Sequence, residues 1–168
     1  MSGGREAVVP REAYFGIGIV SGKKQGNVGA LARSAHAFGA SMVFTIAFRS
    51  PRIDISSDTT KAARHLDLVE YASVRDFLRY RPPGCELVGV EFRAEESQPL
   101  PDFHHPPRAL YLLGAEDYGL GGEALAACDQ LVQVPSRYPL NVATAGSIVL
   151  YDRVAKSRIG LTPAKRRR

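Results

Sequence analysis

Residues 112–152, LLGAEDYGLGGEALAACDQLVQVPSRYPLNVATAGSIVLYD, decide the reading of the fold. An apolar strand ends at Gly114. A brief helix follows at Glu123–Cys128, then a strand over Gln130–Val134 that Pro135 stops, then a last helix over Asn141–Ser157. In that helix Ala143, Ala145, Gly146 and Ser147 carry almost no side chain. Something large therefore lies against them: a neighbouring helix or sheet in the simpler reading, a ligand in the other. Loops that end strands in α/β sheets are where ligands bind. Those near Phe92, Gly114 and Val134 are expected to enclose a flat ring through backbone N–H and C=O groups.

A stretch near the N-terminus answers this one. Phe15–Val20, FGIGIV, is a short apolar run that reads as a buried strand. Ser21–Gly26 is a polar loop, and Asn27 is placed to cap the following helix. In that helix Val28, Leu31, Ala32, Ala35 and Phe38 fall on one core-facing stripe, with Arg33 well off it. Gly39 stops the helix and Ser41–Phe48 is the next strand. Strand, loop, helix, strand predicts a parallel α/β unit. Arg49–Asp58 reads as loop, with helices expected around Thr60–Arg64 and over Val74–Tyr80. Leu87–Phe92 and Ala109–Leu113 read as strands, separated by a proline-rich irregular stretch over Arg93–Arg108. The expected layout is a leader over residues 1–13, a single domain over 14–157 and a basic tail over 158–168.

A chain of 168 residues, 45% hydrophobic and 23% charged, can bury a real core and has the composition of a soluble globular protein. No apolar run approaches the roughly 20 residues that span a bilayer, and the polar, acid-bearing first residues do not read as a signal peptide. Cys85 and Cys128 form no Cys-x-x-Cys pair, so neither a metal nor a disulfide is implied, and a reducing cytoplasmic location is expected. The net charge of +5 leans toward a polyanionic partner. Arg153, Lys156, Arg158 and the terminal KRRR either form a solvated end or meet phosphate. His104 and His105, without other ligands at metal spacing, read as loop residues.

The glycines do not make a known nucleotide loop. Gly16-Ile-Gly18 lies within a strand and lacks the third glycine of a dinucleotide fingerprint. Gly22-Lys-Lys-Gln-Gly26 lacks the Gly-Lys-Ser/Thr ending of a phosphate loop. Two readings of the latter stay open. One is a helix N-terminus that, with Lys23 and Lys24, meets an RNA phosphate. The other is a plain glycine turn with two solvated lysines.

Three motifs go beyond composition. Asn27-Val-Gly-Ala-Leu-Ala-Arg33-Ser-Ala-His-Ala-Phe-Gly39 resembles the first motif of the SpoU branch of the SPOUT RNA methyltransferases. Leu113-Gly-Ala-Glu116-Asp-Tyr-Gly119-Leu resembles the second, and Leu140-Asn141-Val-Ala-Thr-Ala145, running into Ile-Val-Leu-Tyr151, the third. The resemblance spans roughly residues 14–155, with the motifs in family order. It implies a mostly parallel sheet flanked by helices with a C-terminal deep trefoil knot, an exception among folds. It also implies S-adenosylmethionine bent within the knot, a homodimer, and methyl transfer to a ribose 2′-hydroxyl of tRNA or rRNA, without metal or membrane. The cofactor would contact Phe92, Leu113, Gly114, Ala115, Gly119, Val134, Pro135, Pro139, Leu140 and Ala145. RNA would meet Lys23, Lys24, Arg33 and Arg137.

By the same resemblance Arg33 is the reactive arginine, and Asn27, Glu116 and Asn141 are its motif partners. Glu116 would hold Asn27 or Arg33 in place; the two asparagines would line the site or simply cap helices. A guanidinium, with a pKa above about 12, is a poor base. Either a phosphate or another group relays the proton, or Arg33 orients RNA and stabilises the forming alkoxide. His36 would face the RNA or the dimer partner. The chain departs from the pattern at Pro139, where the family commonly has serine, and at Ala143, another frequent serine with Thr144 beside it. Ser136, Arg137 and Tyr138 are the residues that could compensate. Two alternatives accompany the main reading: an RNA-binding protein of this fold without turnover, and a knotted methyltransferase acting on a base.

Overall fold

The structure is a computed structural model that describes residues 13–49, 66–93 and 95–157. The expected helix around Thr60–Arg64, the basic tail and nearly all of the expected leader lie outside these residues. The strands are β1 (Tyr14–Val20), β2 (Met42–Ile46), β3 (Asp67–Tyr71), β4 (Glu86–Val90), β5 (Gln98–Pro99), β6 (Arg108–Leu113) and β7 (Gln130–Gln133). The helices are α1 (Gln25–Ala37), α2 (Val74–Tyr80), α3 (Gly122–Ala127) and α4 (Val142–Lys156). The strands form one seven-stranded sheet in the order β3-β2-β1-β6-β4-β7-β5, and every pairing is parallel. The expected α/β class with a mostly parallel sheet between helices is what forms.

A parallel sheet is covered on both faces, so its strands are apolar on both sides. Ile17 and Ile19 of β1 and Tyr111 and Leu113 of β6 pack with Leu31 and Ala35 of α1 and Val149 and Leu150 of α4. On the other face Phe44 and Ile46 of β2 and Leu110 and Leu112 of β6 pack with Phe77 of α2 and Ala124 of α3. This two-sided burial gives the glycines of β1 a structural reason. A side chain at Gly16 would approach Met42 to 2.4 Å, and one at Gly18 would approach Phe44 to 2.4 Å. The glycines make room for the large residues of the neighbouring strand.

Four elements differ from the expectation. β3 is an edge strand whose charged residues, Asp67 and Glu70, break the apolar pattern. β5 and a 3-10 turn at Leu100–Asp102 form inside the stretch read as irregular. α1 begins at Gln25, with Lys24 at the cap position and no side-chain cap. Asn27 therefore sits inside the first turn and does not cap the helix. Asn141 does cap α4, its Oδ1 accepting from the N–H groups of Ala143 (2.9 Å) and Thr144 (3.2 Å).

The small residues of α4 are explained by packing. A side chain at Gly146 would meet Leu31 of α1 at 2.6 Å, and Ser147 hydrogen-bonds Ser34 of α1 across the same contact at 2.7 Å. The end of α4 corrects another expectation. Arg153, counted from sequence with the basic end of the chain, is buried, with only 7% of its surface exposed. It donates to the carbonyls of Pro106 (2.7 Å) and Pro107 (2.9 Å) and to the Tyr111 hydroxyl (3.0 Å), and it lies 4.5 Å over the Phe15 ring. His105 links Tyr111 (2.6 Å) to Asp152 (2.9 Å), and Lys156 closes the network on Asp152 at 2.7 Å. Burial lowers the His105 pKa despite its carboxylate neighbour. Burial likewise pushes the Tyr111 hydroxyl up to about 12. With His105 neutral, each bond has one donor and one acceptor: Arg153 to the Tyr111 oxygen, Tyr111 O–H to Nδ1, and Nε2–H to Asp152.

Candidate active site

The sheet order creates a crevice at one end. From β1 the chain passes through α1 to β2 on one side, and from β6 it passes through α3 to β7 on the other. β1 and β6 are neighbours, so beyond their C-terminal ends the connections part, the topological switch point at which open α/β sheets take ligands. The loop after β1 carries Lys23 and Lys24 to this point. The loop after β6, Gly114–Gly119, faces it.

That second loop is built tightly. Ala115 and Gly119 exchange backbone hydrogen bonds of 3.1 and 2.9 Å, and Gly119 has φ +63°. A side chain at Gly114 would come within 2.0 Å of the Gly119 backbone, and one at Gly119 within 2.7 Å of the Glu91 carboxylate. Glu91, at the end of β4, accepts the Leu120 N–H at 2.9 Å and so clamps the loop from the next strand. Glu91 belongs to none of the three motifs. Its one available signal is an acid inside the otherwise apolar run Leu87–Phe92.

Glu116 is presented at the tip of this loop and gathers the motif residues. Its Oε1 accepts from Asn27 Nδ2 at 3.1 Å and from Asn141 Nδ2 at 3.3 Å, and Asn141 Nδ2 also reaches Asn27 Oδ1 at 3.1 Å. Its Oε2 pairs with Lys24, and the neighbouring Asp117 pairs with Lys23. The start of α1, the loop after β6 and the start of α4 thus meet at one carboxylate. Hydrogen bonds from Lys24 and then Asn27 hold the Glu116 pKa below the ordinary carboxylate value, and Lys23 does the same for Asp117. The Asp117 hydrogen bond in turn raises the Lys23 pKa. An ionised carboxylate with both oxygens engaged orients its neighbours; it is a weak proton acceptor. Lys23 and Lys24, read from sequence as phosphate contacts or solvated lysines, are ion-paired.

Arg33 stands apart from this network. It is exposed on α1, six residues beyond Asn27. Six residues advance about 9 Å along a helix and turn roughly 240° around it, so the two side chains leave on different faces. None of the hydrogen bonds or ion pairs identified among the described residues includes Arg33.

Of the expected cofactor residues, Phe92, Leu113, Gly114, Ala115, Val134 and Pro135 fall at or just beyond adjacent strand ends, Gly119 closes the loop after β6, Pro139 and Leu140 lie in the loop before α4, and Ala145 lies within α4. β4 lies between β6 and β7, and Val90 is in register with both Leu113 and Val132. The ends of the three strands are therefore side by side. Leu113 is buried, whereas Gly114, Ala115, Gly119 and Val134 are half-buried. Pro135, Pro139 and Leu140 are exposed, as is Phe92, at 76%. Ala145 is half-buried and packs against the core. In the loop before α4, Ser136 Oγ donates to the Tyr138 carbonyl at 2.9 Å, and Arg137 lies 5.7 Å from the Tyr138 ring centroid. Among the described residues no group of three or more His, Cys, Asp or Glu is arranged to hold a metal ion, and no helix is long and apolar enough to cross a membrane.

A parallel α/β sheet with asparagines and an acid gathered at its switch point defines an open α/β protein with a polar cluster where such sheets take ligands. The model of the SpoU rRNA Methylase family matches residues 15–151, and the chain belongs to that family. It is 31% identical over 136 residues to a 23S rRNA (guanosine-2′-O-)-methyltransferase, RlmB, of Bordetella pertussis, covering 76% of this chain and 54% of that protein. It is 27% identical over 161 residues to a 23S rRNA (uridine(2479)-2′-O)-methyltransferase of Streptomyces viridochromogenes, covering 90% of this chain and 56% of that one. The solved structure of the SpoU methyltransferase AviRb from S. viridochromogenes, in complex with the cofactor AdoMet, is similar with a TM-score of 0.77 at 28% identity. That similarity covers 90% of this chain and 60% of the other. The chain spans about half the length of the curated relatives it matches.

Proposed function

We propose that this protein transfers a methyl group from S-adenosylmethionine to a ribose 2′-hydroxyl of tRNA or rRNA. The observation that carries the reading is the meeting of Asn27, Asn141 and Lys24 on the Glu116 carboxylate, beside three aligned strand-end loops. The relatives named as 2′-O-methyltransferases and the AdoMet complex of AviRb support it.

The chain's own residues fit the cofactor. Phe92 and Leu140 expose apolar surface after β4 and before α4, and Gly114, Ala115 and Val134, just beyond the ends of β6 and β7, are half-buried. These are the groups an adenine ring and its sugar require. When bound, S-adenosylmethionine supplies an electrophilic methyl group on a sulfonium, so alignment and charge stabilisation are what remains for the protein to provide. The Glu116 network fixes the positions of α1 and α4 around the acceptor ribose. Arg33 stabilises the alkoxide as the 2′-oxygen loses its proton to a phosphate or to water.

Arg33 and Asn27 leave α1 on different faces. We therefore place Arg33 in the site of a second copy, within a homodimer whose contact includes α1. The deep trefoil knot belongs to the same reading, supported by the tight seat of α4 against α1 and the sheet. So does a cytoplasmic location.

The test is methyl transfer to bulk tRNA and rRNA with labelled cofactor, followed by nucleoside analysis. Label in 2′-O-methylnucleosides is expected. Label on bases would select the base-directed alternative. Bound cofactor without transfer to any RNA would select a binding protein without turnover, the reading that Pro139 favours.

A further inference from the structure

Resting on the RNA reading, we propose that the crevice between the ends of β1, β2 and β6 holds one nucleotide of the RNA, its phosphate on Lys23 and Arg49 and its base on the Tyr118 ring. This crevice is separate from the β4–β6–β7 loops offered to the cofactor. It shares with them only the wall formed by the loop after β6. Ile19, Val142, Lys23, Phe48, Arg49 and Tyr118 line it, beside Asn27, Glu116 and Asp117 of the polar network described above.

Three observations converge on it. The first is backbone strain: Ser21 and Ala47, neither a glycine, have φ of +54° and +48° at the ends of β1 and β2. Such conformations are uncommon outside glycine and collect at functional sites. Each is held in place, the N–H of Ser21 by the Ile46 carbonyl at 2.8 Å and that of Ala47 by the Tyr71 carbonyl at 2.9 Å.

The second is that the two strained turns are fastened to each other. The Arg49 N–H donates to the Gly22 carbonyl at 2.9 Å, and a side chain at Gly22 would come within 2.7 Å of the Phe48 ring. The wall carrying Lys23 and Arg49 is therefore preorganised, which lowers the ordering cost of binding.

The third is the opposite wall. Tyr118 stands 79% exposed on the clamped loop, next to the residues that order the active site. An exposed ring in the same crevice as two cations suits a nucleotide: every base has a face to stack and every phosphate a charge to meet. The Asp117 carboxylate holds Lys23 in the free protein, and an entering phosphate takes its place.

The probe is a fluorescein-labelled single-stranded RNA hexamer of random sequence, with its dissociation constant measured at several salt concentrations. Tyr118→Leu should weaken binding about 10-fold, within the range found for one lost base stack, and Tyr118→Phe should recover the affinity. Arg49→Gln should reduce the slope of log affinity against log salt by about 0.7, one phosphate contact to single-stranded nucleic acid. Tyr80→Leu, an exposed ring on α2 outside the crevice, should bind as the wild type does. Equal affinities for Tyr118→Leu and wild type, or no binding of the hexamer to the wild type, would overturn the proposal. Methyl transfer is measured separately. A wild type that binds the hexamer through Tyr118 but transfers no methyl group supports the crevice and sinks the proposed reaction. One that transfers methyl groups while Tyr118→Leu binds normally does the reverse.

Discussion

Helix α4 is tied down at both ends, in opposite ways. At its start, Asn141 caps the helix and reaches Glu116 and Asn27, all three motif residues, with Glu116 and Asn141 exposed and Asn27 half-buried. At its end, Asp152, Arg153 and Lys156 lock onto Tyr111, His105 and the carbonyls of residues 100–107. There Arg153 is buried and each of its hydrogen bonds has an acceptor supplied by the fold. The first network shows its polar groups to solvent and rests on ion pairs that another anion can exchange. The second centres on buried groups, Arg153 and Tyr111. A polar network that faces water is available for chemistry, and one that is buried and satisfied holds the scaffold.

Breaking the buried end should cost the most stability. Arg153→Ala removes a charged donor with three acceptors and its seat over Phe15. A loss of about 3 kcal/mol is expected in urea unfolding, given roughly 1.5–3 kcal/mol for a hydrogen bond to a charged group and incomplete additivity. A loss below about 1 kcal/mol would mean that this end is not what holds α4.

Breaking the open end should separate stability from activity. Asn141→Ala removes the α4 cap at a cost of about 1 kcal/mol. Glu116→Gln keeps the shape but removes the charge, and an exposed ion pair adds little to stability. Both substitutions should leave a folded protein whose methyl transfer falls by about 10-fold or more, a loss of roughly 1.4 kcal/mol of transition-state stabilisation. Full activity in both variants would remove the network from the mechanism.

The smallest effect is a pH dependence. The folded-state pKa of His105 lies below its ordinary value, so the unfolded chain binds the proton more readily. Stability contributed by neutral His105 is complete above about 6.5 and is lost as pH falls from there toward the depressed folded value. Melting temperatures between pH 8 and pH 5 should show this decline in the wild type, and a shallower one in His105→Gln.

Much of this was legible in the sequence because it rests on local pattern. FGIGIV, the stripe from Val28 to Ala35 and the helix Val74–Tyr80 each declare themselves by spacing. β3 did not, because an edge strand with Asp67 and Glu70 loses the apolar run. β5 is two residues long and includes Pro99, which an edge tolerates. Arg153 was misplaced although the signal was present: it falls with Val149, Leu150 and Val154 on the buried stripe of α4. The motifs brought Asn27, Glu116 and Asn141 together by resemblance, but the pairs Lys23–Asp117 and Lys24–Glu116 join residues 94 and 92 positions apart. No local pattern encodes such contacts; only the sheet order, with β1 beside β6, creates them.

The most direct test of the account is Arg33→Ala, measured for methyl transfer to RNA and, separately, for S-adenosylmethionine affinity. Arg33 is exposed and apart from the cofactor loops, so the account predicts that transfer is abolished while cofactor affinity is nearly intact. Transfer equal to that of the wild type would contradict it.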